Sequence, residues 1–346
     1  MPLDRRVVVI EGEDAAPEAV RPTVALVERL GLPIAWVRPD VDDHEATRRA
    51  IDESDTTLFG ATSGRSGAAL FYLRWGKATY ANVRPARWQP GYKSPLATPD
   101  GVDLVIVREN LEDLYVGVEG DLAALRPLAM RGRMTRGPVA DLGPGRFALK
   151  VITEAGSARV VRFAFELARR RKAAGRPGKV TCGAKYNMLP ETDGLFRDVA
   201  VRIAASYPDV AFETFIVDDL ARRLVAVPHE LDVVVLPNLY GDILSDAAAG
   251  IIGGLGLAPS GCYGDGYAYF ESAHGSAPDI AGKGIINPTA TILSAVMLLD
   301  YLGFGDGARR LEAAVERAYA DGTALTPDQG GRATTAEFCA AVARAL

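Results

Sequence analysis

Residues 7–10 read Val-Val-Val-Ile and residues 34–37 read Ile-Ala-Trp-Val; between them, Pro17–Leu30 repeats its apolar residues at helical spacing until Gly31. A short apolar run bounded by turns is a buried strand, and a glycine straight after a periodic stretch ends a helix. The unit is therefore strand, helix, strand. It continues outward, with His44–Ile51 reading as a helix and Thr56–Gly60 as a third strand. Such alternation predicts an α/β fold on a largely parallel sheet. Further strands are expected at Val102–Arg108, Ala148–Ile152, Lys179–Cys182, Ala211–Val217 and Val233–Leu236. Helices are expected at Ser157–Lys172, Gly194–Ser206, Ala221–Val227, Asp242–Ile252, Ala290–Leu302, Arg309–Tyr319 and from Thr335 onward. Two stretches break the rhythm. Arg131–Arg146, rich in Gly, Pro and Arg, reads as an arm or clasp, and Gly253–Gly266 as a Gly-rich connector.

The 346 residues are 48% hydrophobic, enough apolar surface for one large or two modest domains. A net charge of −5 supplies no basic field to draw the chain to nucleic acid or an anionic membrane. Cys182, Cys262 and Cys339 lie far apart, with no zinc-ligand spacing. With no signal-like segment ahead of Val7 and no apolar run of membrane length, a cytoplasmic protein is expected.

The chemistry concentrates in three places. Asp242 and Asp246, in Asn238-Leu-Tyr-Gly-Asp-Ile-Leu-Ser-Asp246, are four apart and would stack on one helix face. Like charges so placed cost roughly 0.2–0.5 kcal/mol, which a bound Mg2+ or Mn2+ would reverse; a solvated acidic helix start is the plainer reading. Lys185-Tyr186-Asn187 follows a strand end, where a lysine can act as a base or simply face solvent. Arg74, Arg84 and Arg108 would hold a di- or tricarboxylate if they converged, and would be ordinary surface charge if they did not.

Several longer motifs join these features. Tyr80-Ala-Asn-Val-Arg-Pro85, Val102-Asp-Leu-Val-Ile-Val-Arg-Glu-Asn110, the Asn238–Asp246 run and His274-Gly-Ser-Ala-Pro-Asp-Ile-Ala-Gly-Lys-Gly284 occur in that order, with Asn287-Pro288 and Asp328-Gln-Gly-Gly331 beyond. From about Leu58 onward the chain resembles the β-decarboxylating dehydrogenases, the isocitrate/isopropylmalate dehydrogenase family. The resemblance implies a two-lobe, isopropylmalate-dehydrogenase-like fold with a large mixed or parallel sheet, not a classical Rossmann fold; the missing GxGxxG is then expected. Residues 1–79 plus 253–346 would form a cofactor-side lobe. Residues 80–252 would form the dimerisation and metal/substrate lobe, with a clasp-like arm near 131–148.

It also implies roles. Arg74, Arg84 and Arg108 match substrate-carboxylate arginines, Tyr115 the acid that protonates C3, and Lys185 the base for the C2 hydroxyl, with Asn187 beside the substrate. Asp218, Asp242 and Asp246 match the Mg2+/Mn2+ ligands. Lys185 and Asp218 would serve the partner's site, implying a homodimer with shared active sites. His274, Gly275, Ser276, Ala277, Asp279 and Ile280 match the adenosine loop, with Glu271 and Asn287 on the same cofactor side. Asp279 would accept the ribose 2′-hydroxyl and repel a 2′-phosphate, favouring NAD.

The chain departs from the family at two places. Where relatives carry Gly-Asp-Gly-Ile-Gly-Pro-Glu, it reads Gly12-Glu-Asp-Ala-Ala-Pro-Glu18, with two glycines replaced, which restricts the backbone. The helix before Arg74 carries Leu70-Phe71, like the leucines of isopropylmalate enzymes, but Gly67 stands at their glutamate position; Arg65-Ser66 is within reach of an anionic substituent if the loop is shifted. The expected activity is NAD-dependent oxidative decarboxylation of a 3-substituted malate. Arg108-Glu-Asn and Thr192-Asp-Gly-Leu-Phe196 favour an isocitrate-like substrate slightly. A specialised malate (isopropylmalate, homoisocitrate, tartrate/D-malate or a phosphonate analogue), or a non-catalytic regulatory subunit, is the alternative.

Overall fold

A computed structural model describes residues 4–346. The first half of the chain runs β1 (Arg5–Ile10), α1 (Ala16–Glu28), β2 (Ile34–Val37), α2 (His44–Asp52), β3 (Thr56–Phe59), α3 (Gly67–Phe71), β4 (Ala81–Arg87), β5 (Asp103–Glu109), β6 (Glu119–Asp121), β7 (Arg146–Ala148) and α4 (Glu154–Ala173). There follow β8 (Lys179–Ala184), α5 (Thr192–Ala204), β9 (Ala211–Ile216), α6 (Val217–Ala226), β10 (Val233–Leu236), α7 (Asn238–Ile252), β11 (Pro259–Tyr263), β12 (Ala268–Ser272), α8 (Thr289–Tyr301), α9 (Gly305–Asp321) and α10 (Thr335–Ala345).

Ten strands form one mixed sheet in the order β2-β1-β3-β12-β11-β4-β5-β10-β8-β9. The flanks are parallel, as the alternating pattern predicts. The centre is not: β12–β11, β11–β4 and β4–β5 are antiparallel. The β11–β4 pairing is the seam between strands from the two ends of the chain and strands from its middle. One large apolar cluster runs across this seam, from Val7 and Leu58 through Ala86 and Leu236 to Leu299 and Val342. No helix among the described residues is long and apolar enough to cross a membrane.

The antiparallel centre is where the sequence misleads. β4 carries Asn82, Arg84, Pro85 and Arg87, a polar pattern that reads as loop, and β11 lies inside the stretch expected to be a connector. Burial explains the glycine in β11: a Cβ on Gly261 would come within 2.9 Å of the Tyr263 ring and 3.0 Å of Phe270 and Met297. The strand expected at Ala148–Ile152 is also different. Its start pairs, as β7, with β6 outside the main sheet, and Val151 makes only an isolated bridge to Asp113. The Arg131–Arg146 arm stays irregular; with the 3-10 turn just before it, it exposes Leu128, Met130, Met134 and Leu142.

Candidate active site

The site begins with how closely α7 lies on the sheet. A Cβ on Gly241 would stand 2.7 Å from the Cβ of Arg108, so glycine there permits the contact. α7 follows directly on β10, the parallel neighbour of β5, and Asp113 Oδ2 accepts the Leu239 N–H in its first turn at 2.9 Å. This docks Asp242 over the two antiparallel strands that carry the arginines. Arg108, 2% exposed, donates through Nε to Asn238 Oδ1 at 2.8 Å and through Nη1 to Asp242 Oδ1. Arg84 Nη1 donates to Ser245 Oγ at 2.7 Å and lies 3.3 Å from both Asp242 Oδ1 and Asp246 Oδ1. The Tyr115 hydroxyl donates to Asp242 Oδ2 at 2.6 Å, beneath the Arg108 guanidinium.

Charge state follows position. Burial and neighbouring Arg84 bring Arg108 down to about 10, so it remains a cation at neutral pH. Burial works against an ionised Asp242, but Arg108, Tyr115 and Arg84 hold its carboxyl below the usual range. Asp246 goes the other way: burial and the charge of Asp242 outweigh Arg84 and raise it. Burial and the bond to Asp242 raise Tyr115, which keeps its proton.

Arg74 comes from a π-helical turn, Tyr72–Gly76, a distortion that often marks function. Its Nε is buried without an acceptor, and its guanidinium sits 5.4 Å from the Trp75 ring centre. Glu271, expected on the cofactor side, is in the field of all three arginines; burial nevertheless raises its carboxyl. Leu70, expected at the substrate, packs partly buried against the cluster of Val8, Ile10 and Phe59.

The base-side residues form a second, separate group. Lys185 follows β8, its backbone N–H donates to Asp193 Oδ2 at 2.7 Å, and its Nζ pairs with Asp218 Oδ1. That pairing lowers the exposed Asp218 carboxyl. The pair opens on a cavity of about 330 Å³ with Tyr240, Ile243 and Leu244 of α7. Asn187 is exposed on the same turn. At 3.6 residues per turn, Ile243 and Tyr240 point roughly 100° and 160° away from Asp242. The candidate residues therefore fall into two groups on different faces of one helix, and among the described residues Asp218 does not meet Asp242 and Asp246.

The loop after β12 holds the remaining candidates. Ser276 O accepts from Ala15 N at 3.0 Å, and the Glu18 carboxylate accepts Gly282 N and Gly284 N at 2.6 and 2.8 Å. Ala277 is left-handed, Gly275 and Asp279 are exposed, and Ile280 packs on Ala15, Ala19 and Ile286. His274 is turned inward: burial lowers its pKa, and Nε2 has no partner. Asn287 supports the loop from below, bonding Tyr319, Asp328 and Thr289.

Residues 39–342 match the family model described as isocitrate/isopropylmalate dehydrogenase. The chain belongs to the isocitrate/isopropylmalate dehydrogenase family. It is 43% identical to 3-isopropylmalate/3-methylmalate dehydrogenase of Methanocaldococcus jannaschii over 98% of both chains. It is also 43% identical to isocitrate/homoisocitrate dehydrogenase of Thermus thermophilus, over 99% of this chain and 98% of that one. The crystal structure of isocitrate dehydrogenase from Methylococcus capsulatus superposes with a TM-score of 0.86, at 36% identity over 99% of both chains.

The altered N-terminal loop is held by hydrogen bonds that the sequence did not reveal. Asp14 takes the left-handed conformation itself (φ 54°), which aspartate tolerates better than most residues. Glu13 accepts from Thr62 Oγ1 at 2.6 Å, Ser63 N at 2.7 Å and Ser66 N at 2.9 Å, tying β1 to the segment that leads to Arg74.

Glu109, next to Arg108, yields a stability prediction. It is 1% exposed, and burial pushes its carboxyl up to about 7, against donation from Glu112 N and Leu111 N. A raised folded-state value means the stability it contributes is complete below the unfolded value near 4.5 and is lost as pH climbs through about 7. Thermal melts between about pH 5 and pH 8 are expected to show wild type losing a few kcal/mol of stability through this group, and Glu109→Gln losing less. Equal pH dependence in both would mean the carboxyl is ionised throughout.

Proposed function

We propose that the protein is an NAD-linked, Mg2+- or Mn2+-dependent dehydrogenase that oxidises the C2 hydroxyl of a 3-substituted malate and releases its C3 carboxylate as CO2. The observation that carries this is the convergence of Arg84, Arg108 and Tyr115 on the single carboxylate of Asp242. The donor set fits a hard divalent cation: Asp242 and Asp246 stack carboxylate oxygens one turn apart, and the burial and mutual repulsion that raise Asp246 are what a cation there would offset. Such an ion, held by these aspartates, would supply Lewis-acid charge stabilisation beside the reacting oxygen.

The chain's own residues then have separate tasks. Lys185 accepts the hydroxyl proton as hydride leaves C2 for the nicotinamide. The arginines orient the departing carboxylate without giving it a proton, since they stay charged. Tyr115, held protonated, delivers its proton to C3. Because Lys185 and Tyr115 lie on different faces of α7, the reading requires a homodimer in which each site takes Lys185 and Asp218 from the other chain. Exposed Ile243 on α7, Val225 on α6 and the apolar arm supply a surface suited to that association.

For the C3 substituent the geometry favours an apolar group over the isocitrate-like one. Arg65 pairs with Asp42 at 2.8 Å and Ser66 with Glu13, so each already has a carboxylate partner within the chain. Phe71, 63% exposed, stacks on Trp75, and the pair leaves an exposed aromatic surface next to Arg74. A regulatory subunit is the weaker reading, because it leaves Tyr115, Lys185 and the aspartates without a task.

The test is NADH formation with Mg2+ or Mn2+ across isopropylmalate and other alkyl malates, isocitrate, homoisocitrate, D-malate, tartrate and a phosphonomethyl malate. Each is repeated with NADP and with EDTA. An EDTA-sensitive, NAD-preferring signal strongest with an alkyl malate is expected. Preference for NADP would sink the role given to exposed Asp279. A folded, NAD-binding protein silent on every malate would overturn the proposed activity.

A further inference from the structure

Lys150 has no task in the chemistry above, yet it lies between the two groups of site residues. It is pinned from both sides: Leu149 N donates to Val118 O at 2.9 Å, and Val151 exchanges backbone hydrogen bonds with Asp113 at 2.8 and 3.3 Å. Its side chain, 14% exposed, places Nζ 2.5 Å from Asp193 Oδ1, 3.5 Å from Asp113 Oδ1 and 4.3 Å from the centre of the Tyr240 ring. Asp113 and Asp193 are completely buried, and among the described residues no other Lys or Arg is within ion-pair distance of either.

Each partner leads to a different functional turn. Asp113 is two residues before Tyr115, stands in a left-handed conformation (φ 69°), and caps α7 through Leu239 N. Asp193 accepts the backbone N–H of Lys185 at 2.7 Å. Tyr240 sits two residues before Asp242 on α7. A single ammonium thus lies against two buried carboxylates, one holding the acid-bearing turn and the other the base-bearing turn. Two such carboxylates cannot stay buried and close without it.

We propose that Lys150 is a positioning residue that locks the Tyr115 turn to the Lys185 turn, and so ties the two active sites of the dimer together. The link between sites rests on the dimeric reading above. The bridge within one chain does not.

The experiment uses Lys150→Met and Lys150→Arg in the intact protein, with two readouts. Hydrogen exchange of the folded, NAD-bound protein needs no activity. The Met variant is expected to exchange faster at residues 113–117 and at 185–189 together, with the nucleotide loop at 274–284 unchanged, and the Arg variant to recover protection at both. In steady state, kcat is expected to fall by about 30-fold in the Met variant while the substrate KM stays within about threefold, since the arginines are untouched; Arg restores most of kcat. Loosening of only one turn, or an unchanged kcat with a lowered melting temperature, overturns the proposal. Should Lys150→Met not fold, Lys150→Met/Asp193→Asn removes the charge pair as a unit, and wild-type protection at both turns in that protein would overturn it equally. If wild type is inactive on every malate, the activity reading fails, and the exchange result still decides the bridge.

Discussion

Lys185→Met will give a folded, NAD-binding protein whose turnover is at least about 10³-fold below wild type, within the range by which a positioned base accelerates a reaction. Stability is expected to hold, for a structural reason. Lys185 pairs only with Asp218 through its side chain, and Asp218 is exposed. The contact that fixes the turn is the backbone N–H to buried Asp193, which methionine keeps. The same substitution at Arg108 would not isolate a chemical role, because that side chain is buried and its loss removes a partner from both Asn238 and Asp242. Rates of NADH formation, melting temperature and NAD affinity measured together check the prediction. A loss of less than about tenfold would move the base elsewhere, since a removed proton acceptor should cost more.

The flanks of the fold were legible because their strands are simple. Val7–Ile10 and Val233–Leu236 are parallel strands buried on both faces, and that environment selects unbroken β-branched runs. The centre was illegible for the complementary reason. β4 is buried as well, but its polar residues meet partners distant in sequence: Arg84 meets Ser245 and two aspartates, and Asn82 Oδ1 accepts from Ser260. Polarity on such a strand records the site and hides the strand. The site itself was legible as residue types. The i,i+4 aspartates, the arginine at a strand end and the lysine after β8 could all be named, but spacing said nothing of which face of α7 each would meet. Glu13, Lys150 and Asp193 left no local signal, because each acts by bridging segments that the sequence keeps far apart.

The division of labour across α7 makes the second large effect a gain of activity. Lys185→Met and Tyr115→Phe homodimers are each expected to be nearly inactive, because every site lacks either its base or its acid. Mixed in one dimer they should recover. If a site takes Tyr115 from one chain and Lys185 from the other, the heterodimer has one site with both native residues and one with neither. Random reassortment makes about half of the dimers mixed, so the pool regains about a quarter of the wild-type rate. A heterodimer purified through two different affinity tags should reach about half the wild-type rate per dimer, with an unchanged substrate KM. If instead both residues served the same site, each site of the heterodimer would carry one lesion and mixing would restore nothing. The geometry sets the expectation: Tyr115 touches Asp242, Lys185 opens toward Tyr240 and Ile243, and the body of α7 stands between them. A second copy laid against exposed Ile243 would bring its own lysine to the Asp242 face.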